Sequence, residues 1–139
     1  MGAELTSGVR ALSMAGRVLE RSLTDMTLPQ FRVLSVIASS PERANRIAEK
    51  AAMSRPSLTG LLDGLEARGW VQRVEVAGDR RGVSLEVTSA GTDALKQAER
   101  AMTAELELVL RSAPDDRSAV IEGLTALGRA IGEHHRARQ

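Results

Sequence analysis

Apolar residues recur at alternating steps of four and three near both ends of this chain, and at steps of two near its middle. From Ala3 to Asp25 the series is Leu5, Val9, Leu12, Gly16, Leu19 and Leu23, with Arg10, Arg17, Glu20 and Arg21 off the stripe. That spacing predicts an amphipathic helix. Thr27 is placed to cap a second helix with Pro29 in its first turn, where a missing N–H costs nothing. It runs through Phe31, Leu34, Val36 and Ile37 and stops at Ser39-Ser40-Pro41. A short third helix is expected from Arg43 to Ala51, with Ile47 and Ala48 inward, followed by a turn at Ala52-Met53-Ser54. Ser54 suits the N-cap of a fourth helix, which tolerates Pro56 in its first turn and carries Leu58, Leu61, Leu62 and Leu65 as its buried stripe. Gly69 fits the left-handed position that closes it.

The period then changes. Val74 and Val76 lead up to a tip at Ala77-Gly78-Asp79-Arg80-Arg81-Gly82, and Val83, Leu85 and Val87 lead away, which reads as a β-hairpin. Thr88 or Ser89 starts a fifth helix to about Arg111, with Leu95, Ala98, Met102, Leu106 and Val109 on one face. Pro114 breaks it. A sixth, from about Asp115 to Arg136, spaces Val120, Leu124, Leu127 and Ile131 in the same way.

These elements predict a single domain over residues 1–139, mainly α with a small β-hairpin. A central module, 27–88, can close its own core with Phe31, Leu34, Ile47, Leu58, Leu62, Trp70 and the hairpin valines. The flanking helices, 3–25 and 89–137, keep apolar stripes in search of a partner, as a helical dimer interface requires. The competing reading packs those three helices only on one another and on the module.

Composition narrows the class. Hydrophobic residues make up 42%, enough for a core and too many for a disordered tail. Phe31 and Trp70 are the only aromatics, so the core must be aliphatic. No apolar run approaches the roughly 18 residues of a membrane span, and the N-terminal MGAELTSGVR carries no apolar signal segment. Together with the absence of Cys, which removes disulfides and thiolate metal sites, this predicts a cytoplasmic protein with no membrane partner. The net charge of +1 is unevenly spread: Arg43 to Gly82 holds eight cations against five anions, leaving the rest of the chain acidic.

A polar-fronted helix followed by a basic hairpin is the layout of a winged helix-turn-helix, in which the start of the second helix reaches base edges. Here that start is Ser54, Arg55, Pro56, Ser57 and Thr59. Arg55 can hold guanine O6 and N7 with two hydrogen bonds, and Ser57 or Thr59 can bond bases or phosphates. The orphan N–H groups of the same helix end favour phosphate. The plain alternative is an ordinary polar helix start with a Ser cap. At the hairpin tip Arg80 and Arg81 project toward solvent, where a narrowed minor groove would attract one of them. Asp79 would be repelled by phosphate and more naturally orients an Arg. Arg73 is either its partner or a further phosphate contact.

The chain resembles the MarR family of bacterial winged-helix repressors over nearly its whole length. The resemblance is carried by Ser54 to Thr59, Leu65-Glu66, Arg68-Gly69-Trp70-Val71, Arg73, Asp79-Arg80-Arg81, and then Leu85, Thr88 and Gly91. It implies a DNA-binding transcriptional repressor: a homodimer with interleaved terminal helices on a palindromic operator in double-stranded DNA. It also implies release by a small lipophilic or aromatic ligand bound between the dimer region and the module. Two features depart from the family. Gly60 and Gly64 stand where basic residues are common, costing the helix roughly 1 kcal/mol each relative to Ala; close packing or close approach to the DNA backbone would account for them. The scarcity of aromatics predicts an aliphatic pocket, lined by Leu and Met from the first, second and fifth helices.

Other classes find little support. There is no Gly-rich phosphate loop and no nucleophile elbow, so neither an enzyme nor a cofactor is expected. His134 and His135 are adjacent and diverge on a helix, so no metal site is expected. The absence of Cys excludes the thiol-based peroxide sensing found in some members of the family. A winged helix serving only protein–protein contacts is the alternative function, and it would predict a tip without cations.

Overall fold

A computed structural model of the chain describes residues 1–39, 54–75 and 83–138. The expected helix over 43–51, with Ile47, and the hairpin tip, with Val76, Asp79, Arg80 and Arg81, lie outside the described residues. The described chain runs α1 (Gly2–Ser22), α2 (Leu28–Ser39), α3 (Arg55–Ala67), β1 (Val71–Glu75), β2 (Val83–Val87), α4 (Ser89–Leu110), a 3-10 turn (Pro114–Asp116) and α5 (Arg117–Arg136). It divides into two compact units, Met1–Met102 and Thr103–Gln139.

Within the first unit each helix end has a local chemical cause. Thr27 and Gln30 cap α2 reciprocally: the Thr27 hydroxyl accepts from the Gln30 N–H at 3.2 Å, and the Gln30 side chain accepts from the Thr27 N–H at 3.0 Å. Ser54 is the N-cap of α3, its hydroxyl accepting from the Ser57 N–H at 3.4 Å. At the other end of α3, Gly69 has φ +73°, the Gly69 N–H donates to the Glu66 carbonyl (2.9 Å), and the Trp70 N–H donates to the Leu65 carbonyl (3.0 Å). This is the double hydrogen bond of a Schellman cap, with Trp70 and Leu65 both in the core beside it.

The core is aliphatic, as the composition required. Leu28, Val33, Leu34 and Ile37 of α2 meet Leu58 and Leu65 of α3, with Trp70, Val71 and Leu85 closing one side. Phe31 and Leu62, expected inside, are only partly buried. Leu95, Ala98 and Met102 of α4 belong to this same core, so the first half of the stripe assigned to a partner is consumed within the unit. At the C-terminal end of α1, Leu19 and the capping residue Leu23 pack against the core.

The hairpin is antiparallel, in the register Val71↔Val87, Arg73↔Leu85 and Glu75↔Val83. The inward parity of β2 is the expected one, with Leu85 inside, but that of β1 differs. Val71 and Leu85 are buried, whereas Val74 stands on the opposite face and is only half-buried. The strand begins directly after the α3 cap, which carries Val71 into the core and so fixes the alternation that follows. The base of the hairpin is tied to α4 through Thr88. Its N–H donates to the Trp70 carbonyl (3.0 Å), its hydroxyl donates to the Gly69 carbonyl, and that hydroxyl caps α4 by accepting from the Gly91 N–H (3.0 Å).

In the second unit α4 ends at Leu110, and Pro114 opens a 3-10 turn, so the last helix begins at Arg117 rather than at Asp115. Arg117 reaches back to Glu107 at 2.9 Å. The Arg117 guanidinium holds the Glu107 carboxyl below the usual carboxylate range, first through that hydrogen bond and then through charge.

Candidate nucleic-acid interface

The start of α3 is built to present polar groups outward. Ser54 sits at the cap with extended backbone, Pro56 falls in the first turn where its missing N–H is harmless, and the Leu58–Leu65 side is held by the core. Ser54, Pro56, Ser57 and Thr59 are all exposed. The Ser54 hydroxyl also donates to the Ser57 hydroxyl at 2.9 Å, so the two form a small preorganised pair at the helix end. Arg55 lies in the first turn of α3, and its side chain is outside the described set. The orphan N–H groups of the turn and their partial positive charge favour an anion here.

Farther along α3, Gly60 is exposed and Gly64 half-buried. Among the described residues, a methyl group added at Gly60 would meet nothing within 4 Å, and one at Gly64 would meet only the Gln30 side chain at 3.9 Å. Close packing against the described residues is therefore not the reason for either glycine.

Arg73 was expected either to partner Asp79 or to contact phosphate. Its guanidinium instead lies against α3, with Nη2 3.1 Å from Asp63 Oδ1 and Nε 3.0 Å from Glu66 Oε2. No sequence motif assigns Asp63 or Glu66 a role. The available signal was two acids three residues apart on a helix meant to approach DNA, an arrangement that calls for a cation.

Behind the interface is a cavity of about 380 Å³ between the α1–α2 connection, the end of α3 and α4. Leu23, Met26, Trp70, Ala94 and Ala98 line it, and Arg68 lies over the Trp70 ring with its guanidinium carbon 4.1 Å from the centroid. The lining is mixed, not the purely aliphatic one expected: Asp25, Asp93 and Gln97 face it as well, and alanines of α4 stand where Leu and Met were expected.

A capped recognition helix, a two-stranded wing tied to its far end, and an aliphatic core beneath both define a winged helix-turn-helix regulator of transcription. A family model described as the MarR family matches residues 24–82. The HTH-type transcriptional regulator YfiV of Bacillus subtilis (strain 168) is 34% identical over 121 residues, 84% of this chain and 74% of the relative. The homoprotocatechuate degradative operon repressor of Escherichia coli is 31% identical over 93 residues, 58% of this chain and 63% of that one. Among solved structures, the transcriptional repressor CouR bound to a 23-mer DNA duplex superposes with a TM-score of 0.70 at 27% identity, covering 88% of this chain and 89% of that one. The chain belongs to the MarR family. It is a DNA-binding transcriptional regulator, and the reading as a purely protein-binding winged helix is not favoured.

Proposed function

We propose that this regulator is a repressor that binds a palindromic operator as a homodimer, one winged module on each half-site. The observation that carries this reading is the start of α3: a capped, outward-facing run at Ser54, Pro56, Ser57 and Thr59 on a helix whose other side is locked into the core. Arg55 reads a guanine from the first turn, while Ser54, Ser57 and Thr59 bond bases or phosphates. Arg80 and Arg81 enter the flanking minor groove or meet its phosphates, with Asp79 orienting one of them. Gly60, exposed, and Gly64, half-buried, leave room for the DNA backbone along the helix.

The dimer is supported by large apolar side chains that are exposed on both terminal helices. Leu5, Val9 and Leu12 of α1 are 72%, 59% and 48% exposed, and Leu124 and Ile131 of α5 are 40% and 48% exposed. Helical stripes of this kind in contact with water mark an interface. The cavity beside Trp70 is the place for a small lipophilic or aromatic effector, whose binding next to the end of α3 would bias the helix against the operator-bound geometry. In keeping with this, one relative is by name the repressor of a homoprotocatechuate degradative operon.

Selection of bound sequences from a random duplex pool tests the reading as a whole. The expected product is an inverted repeat whose half-sites lie about one helical turn, roughly 10 bp, apart. Enrichment of a single unsymmetrical site would remove the homodimeric operator.

A further inference from the structure

Arg73 is the residue at which the two parts of the interface are joined. In the hairpin ladder it faces Leu85, so it stands on the same side of the strands as buried Val71. Its side chain is thereby carried over α3, and it holds two separate carboxylates of that helix, Asp63 at 3.1 Å and Glu66 at 3.0 Å. A guanidinium can do this because Nε and Nη2 are two donors in one fixed plane, whereas an ammonium offers a single point charge.

All three side chains are well exposed, at 45% for Arg73, 63% for Asp63 and 44% for Glu66. Ion pairs so open to water add little to the stability of a fold. What the cluster does bias is an angle: with both carboxylates held, β1 is drawn toward α3. Its charge is also unlike that of a phosphate site, since two carboxylates flank the Arg73 guanidinium.

We propose that Arg73 is a positioning residue for DNA recognition, which locks the first wing strand to the recognition helix through Asp63 and Glu66 instead of contacting phosphate. The lock sets where the wing tip falls relative to the bases read by α3. The proposal rests on the reading that α3 and the wing address one duplex.

The test is a set of binding isotherms over a range of salt, on the selected operator and on an unrelated duplex, for wild type, Arg73→Gln, Arg73→Lys, Asp63→Asn/Glu66→Gln and the triple variant. Arg73→Gln is expected to lose about tenfold in operator affinity, the scale of one coupled contact, with little change on unrelated DNA and an unchanged salt slope. Asp63→Asn/Glu66→Gln removes two negative charges and is nevertheless expected to lose operator affinity by a similar factor. The triple variant should lose no more than either, and Arg73→Lys should not recover the loss.

A phosphate contact predicts the opposite pattern: a slope lower by about one in Arg73→Gln, equal losses on both duplexes, and tighter operator binding by Asp63→Asn/Glu66→Gln. That pattern overturns the proposal. So does a lowered melting temperature accompanied by an unchanged ratio of operator to unrelated binding, which would make the cluster merely structural. Should wild type hold no duplex at all, the DNA reading falls and Arg73 with it; wild-type binding combined with either contrary pattern removes Arg73 alone.

Discussion

Gly69 is required for its backbone angle and Gly91 for the space it leaves empty. At φ +73° Gly69 turns the chain out of α3, a conformation in which a Cβ is strained. A Cβ at Gly91 would lie 2.1 Å from the Trp70 carbonyl oxygen and 2.8 Å from Val87 Cγ1, so neither neighbour could yield without moving the hairpin base. Among the described residues, Gly60 and Gly64 meet neither constraint. Substitutions at these sites are therefore expected to shift stability in opposite directions. Gly91→Ala should destabilise by about 3 kcal/mol, the upper range for overpacking, whereas Gly60→Ala or Gly64→Ala should stabilise by roughly 1 kcal/mol through helix propensity. Urea unfolding midpoints measure both. A destabilised Gly60→Ala would mean that the open space around that residue is occupied in solution. Gly69 could be read from the sequence because a helix stop is local, but the clash at Gly91 could not, since the opposing carbonyl belongs to a distant turn.

At the scale of elements, the wing shows where pattern reading succeeds and where it slips. Alternation located both strands, yet it assigned Val74 to the inward side. The observed parity puts Val71 inside and Arg73 above α3, because the Schellman cap, not the hairpin, decides which residue of β1 enters the core first. That one-residue difference is why the Arg73 cluster was not foreseen. The wing's own contribution to binding can be isolated from it. Arg80→Ala and Arg81→Ala are each expected to weaken operator binding, and a lost phosphate contact should lower the salt slope by about one. Unchanged affinity and slope in both variants would take the tip out of the interface.

For the molecule as a whole the decisive feature is unequal burial along stripes that look alike in sequence. Leu95, Ala98 and Met102 are buried in the first unit, while Leu12 is 48% exposed and Leu124 is 40% exposed. Spacing alone cannot separate these cases, because a helix covers an apolar stripe equally well with its own domain or with another chain. The exposed set supports the proposed homodimer. Placing charges there, as Leu12→Glu with Leu124→Glu, is expected to yield a folded monomer in sedimentation velocity and to lower operator affinity by removing the second half-site contact. A dimer that survives the double substitution would move the interface elsewhere.

What the sequence determined was whatever depends on neighbours within a few residues. The helix periods, the Thr27 and Ser54 caps, the Gly69 stop and the Pro114 break all follow from local dihedral and hydrogen-bond preferences. Tertiary structure alone decided which apolar faces were already covered, which side of β1 points inward, and that Arg73 is held by Asp63 and Glu66. The physical reason is that burial and ion pairing depend on distances between segments far apart in the chain, and those distances are set only when the core closes.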